Sequence, residues 1–257
     1  MTEEASHTEE AVEHAATGPH ISIAPEQLGE FMGIPITNTL ITSWVVMIFL
    51  IIVAYVIRKN LNPKHPTKGQ NFIEMLFDYI IGFMEDVLES RKLALTYFPL
   101  LATMFLFIWA SNWAEFLPGV GSITYNGEAL FRSVNTDLNV TIALAIISFI
   151  VIEASGIRAL GFFKYTNKFF NFSSPLNFFV GLIELISELA RLISFSFRLF
   201  GNVFAGEVLI AVTVFFLPLF LPVPLMMFEL LMGFIQAAVF ALLTLFFVKI
   251  ARMPTEH

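Results

Sequence analysis

The sequence predicts an all-α integral membrane protein: five membrane-crossing helices plus one amphipathic surface helix, the last two crossings forming a long tilted hairpin. Three observations predict it. Apolar residues make up 57% of the chain and charged residues only 14%, against roughly 45–50% and 25% in soluble domains. The apolar residues gather into runs of the length a bilayer core requires, about 20 residues. The basic residues collect where alternate crossings would return the chain to one side.

Residues 1–35 form an acidic N-terminal tail and lead-in. Glu3, Glu4, Glu9, Glu10, Glu13, Glu26 and Glu30 crowd it, without a single Lys or Arg. Such a stretch has too little apolar surface to fold alone, which predicts disorder to about residue 20 and then a short ordered segment. It lacks the basic-then-apolar order of a signal peptide. The membrane domain, 36–257, follows. Its spans are expected at about 36–57, 97–117, 138–157, 176–217 and 225–250.

Between the first two spans, 71–92 alternates apolar and acidic residues at helical spacing. Phe72, Met75, Leu76, Tyr79, Ile80, Phe83, Met84, Val87 and Leu88 make one stripe, with Glu74, Asp78, Glu85, Asp86 and Glu89 off it. That is an amphipathic helix lying on the membrane or against a partner. Residues 118–136 and the Asn-rich 158–175 read as loops. The cluster Pro218, Pro222 and Pro224 separates the last two spans, because proline ends helices.

Charge sets the orientation. Arg58, Lys59, Lys64, Lys68, Arg91, Lys92, Arg158, Lys164, Lys168, Lys249 and Arg252, 11 of the 14 basic residues, fall on one side; Arg132 alone falls on the other. The positive-inside rule then puts the N-terminus outside and the C-terminus in the cytoplasm.

Several chemistries are excluded. Without cysteine there is no disulfide or thiolate site, and all five His lie in tails or loops, so no intramembrane metal site is expected. No phosphate-binding GxxxxGK[ST] loop or nucleophile motif is present, so the chain should neither hydrolyse ATP nor hold a cofactor. Nothing points to nucleic acid. The inverted repeats of many secondary transporters are not evident.

The informative region is 176–217. A helix of that length spans about 63 Å, twice the roughly 30 Å hydrocarbon core, so it tilts or breaks. Glu184, Ser187, Glu188, Arg191, Ser194, Arg198 and Asn202 recur at spacings of three and four, forming a polar stripe that should face protein or water. Arg198 matters most. Its guanidinium stays protonated, and a charge at the bilayer centre costs about 2.5–3.5 kcal/mol on insertion scales. Glu184 and Glu188 are about 21 and 15 Å away along the axis, and Glu207 projects to the opposite side. Two readings stand: a salt bridge to Glu229 or another helix, or a functional charge. Glu207 and Glu229 flank the proline cluster, and Gln236 shares the face of Glu229; these carboxylates either relay protons along an aqueous cavity or lie near the surface. Glu115 and Glu153, at span ends, read as surface residues.

The run Arg198-Leu199-Phe200-Gly201-Asn202-Val203-Phe204-Ala205-Gly206-Glu207 resembles the RLFGN-x-x-AGE signature of F-type ATP synthase subunit a. Asp137-Leu138-Asn139-Val140-Thr141, Ser111-Asn112-Trp113-Ala114-Glu115-Phe116-Leu117-Pro118 and Phe234-Ile235-Gln236-Ala237 extend the resemblance over most of the chain from about residue 36. It implies a non-catalytic, ion-translocating subunit in which Arg198 faces the carboxylates of a c-subunit ring. It further implies that Glu207, Glu229, Asn112 and Glu115 belong to an outer half-channel, Asn202 and Gln236 neighbour the arginine, and Glu184, Ser187 and Glu188 belong to an inner one. Asn38 departs from relatives that carry aspartate there. The implied partners are the c-ring, the peripheral-stalk b subunits, the rest of the synthase and membrane lipid; the implied location is a bacterial inner membrane.

Overall fold

The computed structural model describes residues 24–31, 33–62, 66–117, 123–125, 128–169, 175–218 and 220–253. The expected tail to residue 20, all five His, and Pro63 and Lys64 of the first loop lie outside them.

Five helices are long and apolar enough to cross a membrane. They are α1 (Asn38–Asn60), α3 (Arg91–Ala114), α4 (Leu138–Leu160), α6 (Pro175–Phe216) and α7 (Pro222–Arg252), with α2 (Lys68–Leu88) and α5 (Phe162–Phe169) between them. Short-range chemistry sets their ends. Thr37 accepts from Leu40 N and starts α1 two residues later than hydropathy alone suggests; Asp137 accepts from Asn139 N and starts α4. Pro222 does not break α7 but opens it, since the first turn of a helix has no use for an amide N–H. Glu89, in the left-handed region at φ 54°, and the extended Ser90 separate α2 from α3.

The α7 helix is the centre of the bundle, packing against α3, α4 and α6, while α4 also packs on α6. α6 and α7 make the expected long hairpin. Two apolar clusters hold the layers together. One joins Ile81, Met84 and Leu88 of α2 to Tyr97 and Leu101 of α3, Ile152 of α4, and Leu245 and Val248 of α7. The other joins α3, α4, α6 and α7 at mid-bundle. The apolar stripe of α2 divides accordingly: Ile81, Met84 and Leu88 pack inward, whereas Phe72, Met75, Tyr79 and Phe83 stay exposed. That is the arrangement of a helix resting on a bundle with one flank turned to lipid.

Three segments hold more structure than the sequence suggests. The lead-in folds into a hairpin, β1 (Gln27–Phe31) with β2 (Ile34–Thr37), and the second loop holds a smaller one, β3 (Thr124–Tyr125) with β4 (Glu128–Ala129), before the 3-10 turn Val134–Thr136. The Asn-rich loop contains α5, which buries Tyr165 and Phe169. α5 lies so close to α6 that a Cβ at Gly181 would overlap the Phe169 carbonyl oxygen and lie 2.8 Å from its carbon.

Gly181→Ala should therefore displace α5 and lower stability by about 1–3 kcal/mol, the usual range for overpacking. Gly82→Ala, whose Cβ would meet nothing within 4 Å, should be neutral or slightly stabilising. Thermal unfolding of the two variants in detergent measures the difference; equal midpoints would contradict the packing described.

Candidate functional site: a polar path through the bundle

Alternate crossings sort the loops into two ends. Lys249 pairs with Glu89 at 2.9 Å and Tyr97 donates to Ser155 at 2.8 Å at the basic end. Asn112 meets Gly233, and Arg132 meets Glu207, toward the other. Ten of the 11 expected basic residues lie among the described residues, all at the first end (Lys64 excepted).

Arg198 lies between the ends. Its neighbour Leu199 is completely buried against Met104 and Ile108 of α3, Leu144 and Ala145 of α4, and Ala237 and Phe240 of α7. These residues lie within about one and a half turns of the midpoints of their helices, which fixes the guanidinium at mid-depth. The side chain is exposed on the flank of the bundle, and Ser194 Oγ, one turn away, takes its hydrogen bond at 3.3 Å. Among the described residues it forms no ion pair. The salt bridge to Glu229 is not made: the Glu229 carboxyl lies against Gly206, where a Cβ would overlap it, about 12 Å along α6 from Arg198.

The polar stripe on α6 straddles the edge of the packed face. Its inner margin, Glu188, is buried; Glu184, Arg191 and Asn202 are half-buried; Ser187, Ser194 and Arg198 are exposed. The order follows from angle, because at about 100° per residue Glu188 and Ser194 stand roughly 120° apart.

Toward the acidic end, Glu207, Glu229, Glu115 and Arg132 converge. Arg132 is 9% exposed and donates to Glu207 Oε2 at 3.4 Å and to the Ala24 carbonyl at 3.0 Å. Glu115 lies within Coulombic range of Glu207, Glu229 and Arg132 and is half-buried rather than at the surface. Asn112 donates to the Gly233 carbonyl at 2.9 Å and accepts from Asn135 at 2.6 Å, and Gln236 is buried on α7. Asp137, besides capping α4, accepts from Thr39 at 2.8 Å, which gives the D-x-N motif a second task. Asn38 is wholly buried and donates to Glu26 and to the Ala129 carbonyl.

Buried polar atoms without a protein hydrogen-bond partner among the described residues include Ser111 Oγ, Asn135 Oδ1, Trp109 Nε1 and Asn202 Nδ2, the last about one turn along α6 from Arg198. Buried polar groups are normally satisfied, so bound water is the expected partner of these atoms. Sequence reasoning missed Ser111, Ser133 and Asn135, which are unremarkable one at a time.

At the basic end, Lys168 of α5 pairs with Glu184 at 2.6 Å and Glu188 at 3.7 Å; Arg191 pairs with Glu188 at 2.6 Å and lies over the Phe247 ring at 3.9 Å. Glu153, expected at the surface, is half-buried and accepts from Tyr165 at 2.9 Å. Burial and this bond both push the Tyr165 hydroxyl above its ordinary pKa, so it stays a donor. Among the described residues no group of His, Asp and Glu is placed to hold a metal.

These features define a class: a multi-pass membrane protein that carries a polar path inside its bundle and one permanent charge on its flank at mid-depth. Comparison with known proteins agrees. Residues 40–249 match the family model described as ATP synthase A chain. The chain is 33% identical over 231 residues to ATP synthase subunit a of Moorella thermoacetica, covering 88% of this chain and 95% of that one. It is 34% identical over 215 residues to ATP synthase subunit a of Campylobacter concisus (82% and 88% covered) and 34% identical over 231 residues to the sodium ion specific subunit a of Propionigenium modestum (88% and 78%). The chain belongs to the ATP synthase A chain family and is a non-catalytic membrane subunit of that complex.

Lys168→Met should leave Glu184 without its cation and Glu188 with one of two. The expected loss is near the lower end of the about 3–5 kcal/mol that a buried pair loses with one partner, while Lys168→Arg keeps most of the stability. Unfolding midpoints in detergent test this; a Met variant as stable as the parent would show that the network does not hold α5.

Proposed function

We propose that the chain is the stator channel of a rotary F-type ATP synthase, passing protons between two offset half-channels and the carboxylates of a c-subunit ring, so that ion flow turns the ring. The observation that carries this reading is Arg198: always protonated, exposed at mid-depth, and without an acid partner among the described residues. A charge left so in a bilayer calls for a partner from outside the chain, and a carboxylate on a passing ring is the group that fits.

The outer half-channel runs from Glu207, Glu115 and Glu229 past Asn112, Gln236 and the unpaired polar atoms to Asn202. Water bound to those atoms would carry protons to the ring carboxylate. Protonated, the carboxyl is neutral and turns into the lipid; beside Arg198 it is held as an anion. The fixed cation repels protons and so blocks a direct leak between the two halves. Each charge moved across 100 mV supplies about 2.3 kcal/mol. On the inner side, Glu188 is held by two cations and its side chain is 5% exposed, whereas Glu184 has one cation and is 27% exposed. Glu188 thus acts as a fixed counter-ion, and Glu184 with Ser187 meets the departing proton. The basic end faces the cytoplasm of a bacterial inner membrane and the N-terminus lies outside; the partners are the c-ring, the peripheral-stalk b subunits, the remaining synthase and lipid.

Arg198→Ala should abolish coupled ATP synthesis in inner-membrane vesicles while the complex still assembles; normal synthesis by an assembled variant would refute the mechanism. Glu207→Gln and Glu229→Gln should slow proton flux and move its pH dependence. Gly206→Ala, by displacing the Glu229 carboxyl, should slow flux in the same way with little change in thermal stability. An unchanged flux–pH curve in all three would remove these carboxylates from the path.

A further inference from the structure

The polar path does not end at Glu207. Arg132, which binds Glu207, also donates to the carbonyl of Ala24 at 3.0 Å, so the N-terminal segment lies across the mouth of the path. Two residues further on, Glu26 is fastened twice to the start of α1: its carbonyl accepts from Asn38 N at 3.2 Å and its carboxylate accepts from Asn38 Nδ2 at 3.2 Å. Asn38 is completely buried and also holds Ala129 of β4, while Thr42, one turn on, bonds the Asn38 carbonyl and accepts from Arg132 N at 3.2 Å. The hairpin segment, the α1 terminus, the second loop and α6 are therefore joined by one polar network, with Glu26 half-buried in it.

We propose that Glu26 is the entry carboxylate of the outer half-channel, a proton-accepting group that the N-terminal hairpin holds over the Arg132–Glu207 pair. The inference rests on the ion-path reading above. The charged groups of the same network among the described residues are Arg132, which binds Glu207 of α6, and Asp137, which binds Thr39 next to Asn38, with Glu30 exposed on β1. A carboxylate half in water takes up protons from bulk and passes them to the bound water behind it, which matters most when protons are scarce.

A purely structural clasp gives a different expectation, and glutamine separates the two. Glu26→Gln keeps an oxygen that can accept from Asn38 but loses the titrating group. Proton flux is measured in vesicles carrying the whole synthase with this variant, across a pH series on the entry side. Glu26→Gln should lower flux several-fold at low proton concentration and converge on the parent at high concentration, with Glu26→Asp near the parent. Flux equal to the parent at every pH would overturn the proposal. Should the Gln variant not assemble, Glu26→His, which titrates near pH 6.5 in water, should move the flux–pH curve, and an unmoved curve overturns it equally. Coupled ATP synthesis by the Arg198→Ala variant in the same vesicles separates the two claims: if synthesis is abolished while Glu26→Gln leaves flux unchanged, only the entry role fails, and if synthesis is normal the underlying reading fails.

Discussion

A guanidinium that cannot give up its proton sits halfway down the bundle, outside the packed core, and the rest of the structure is arranged around that fact. Leu199 and Phe195 anchor its stretch of α6 into the mid-bundle cluster, so the charge cannot slide to a headgroup layer without unpacking α3, α4 and α7. Ser194 supplies a single neutral hydrogen bond. That bond orients the side chain without neutralising it, which is the difference between a charge kept for a partner and a charge used up in the fold.

Three other cations among the described residues, Arg191, Lys168 and Arg132, are treated in the opposite way. Arg191 is bonded to Glu188 and stacked on Phe247; Lys168 bridges two carboxylates; Arg132 is bonded to Glu207. The α6 helix therefore carries two arginines seven residues apart, about 10.5 Å along its axis, of which one is saturated and one is not. A bundle that merely needed polar cross-links would have no reason to leave Arg198 out. The same contrast separates the ends. The basic end is an ion-paired lattice that fastens α5 and α2 to the spans, whereas toward the acidic end amide and hydroxyl groups exceed their protein partners among the described residues.

The five spans were legible because their signal is length and hydropathy, properties that survive any tertiary arrangement. The helix α6 runs Pro175–Phe216, over the apolar stretch 176–217 of the sequence. The errors were local and explicable. Thr37 stopped the first span short at its start, and Pro222 opened a helix that hydropathy placed three residues later. The helix α5 was read as loop because its docking depends on Lys168 meeting Glu184 and Glu188 on the next helix, a pairing invisible in its own eight residues, half of them aromatic. The candidate residues themselves were legible as an intramembrane Arg and its attendant carboxylates. Their sorting was not. Angles along α6 placed seven polar residues on one stripe, but only the packing shows that the stripe crosses the edge of the buried face and divides paired from unpaired. Arg132 and Glu207 lie 75 residues apart in the chain, and no periodicity joins them.

The most direct test of the central claim is a structure of the assembled synthase at a resolution that shows side chains, read at one place: what the Arg198 guanidinium faces. The account predicts a carboxylate of the rotating ring within direct or water-mediated reach, at mid-membrane depth. A guanidinium bonded to an acid of the stationary part, or lying among lipid headgroups, would contradict it.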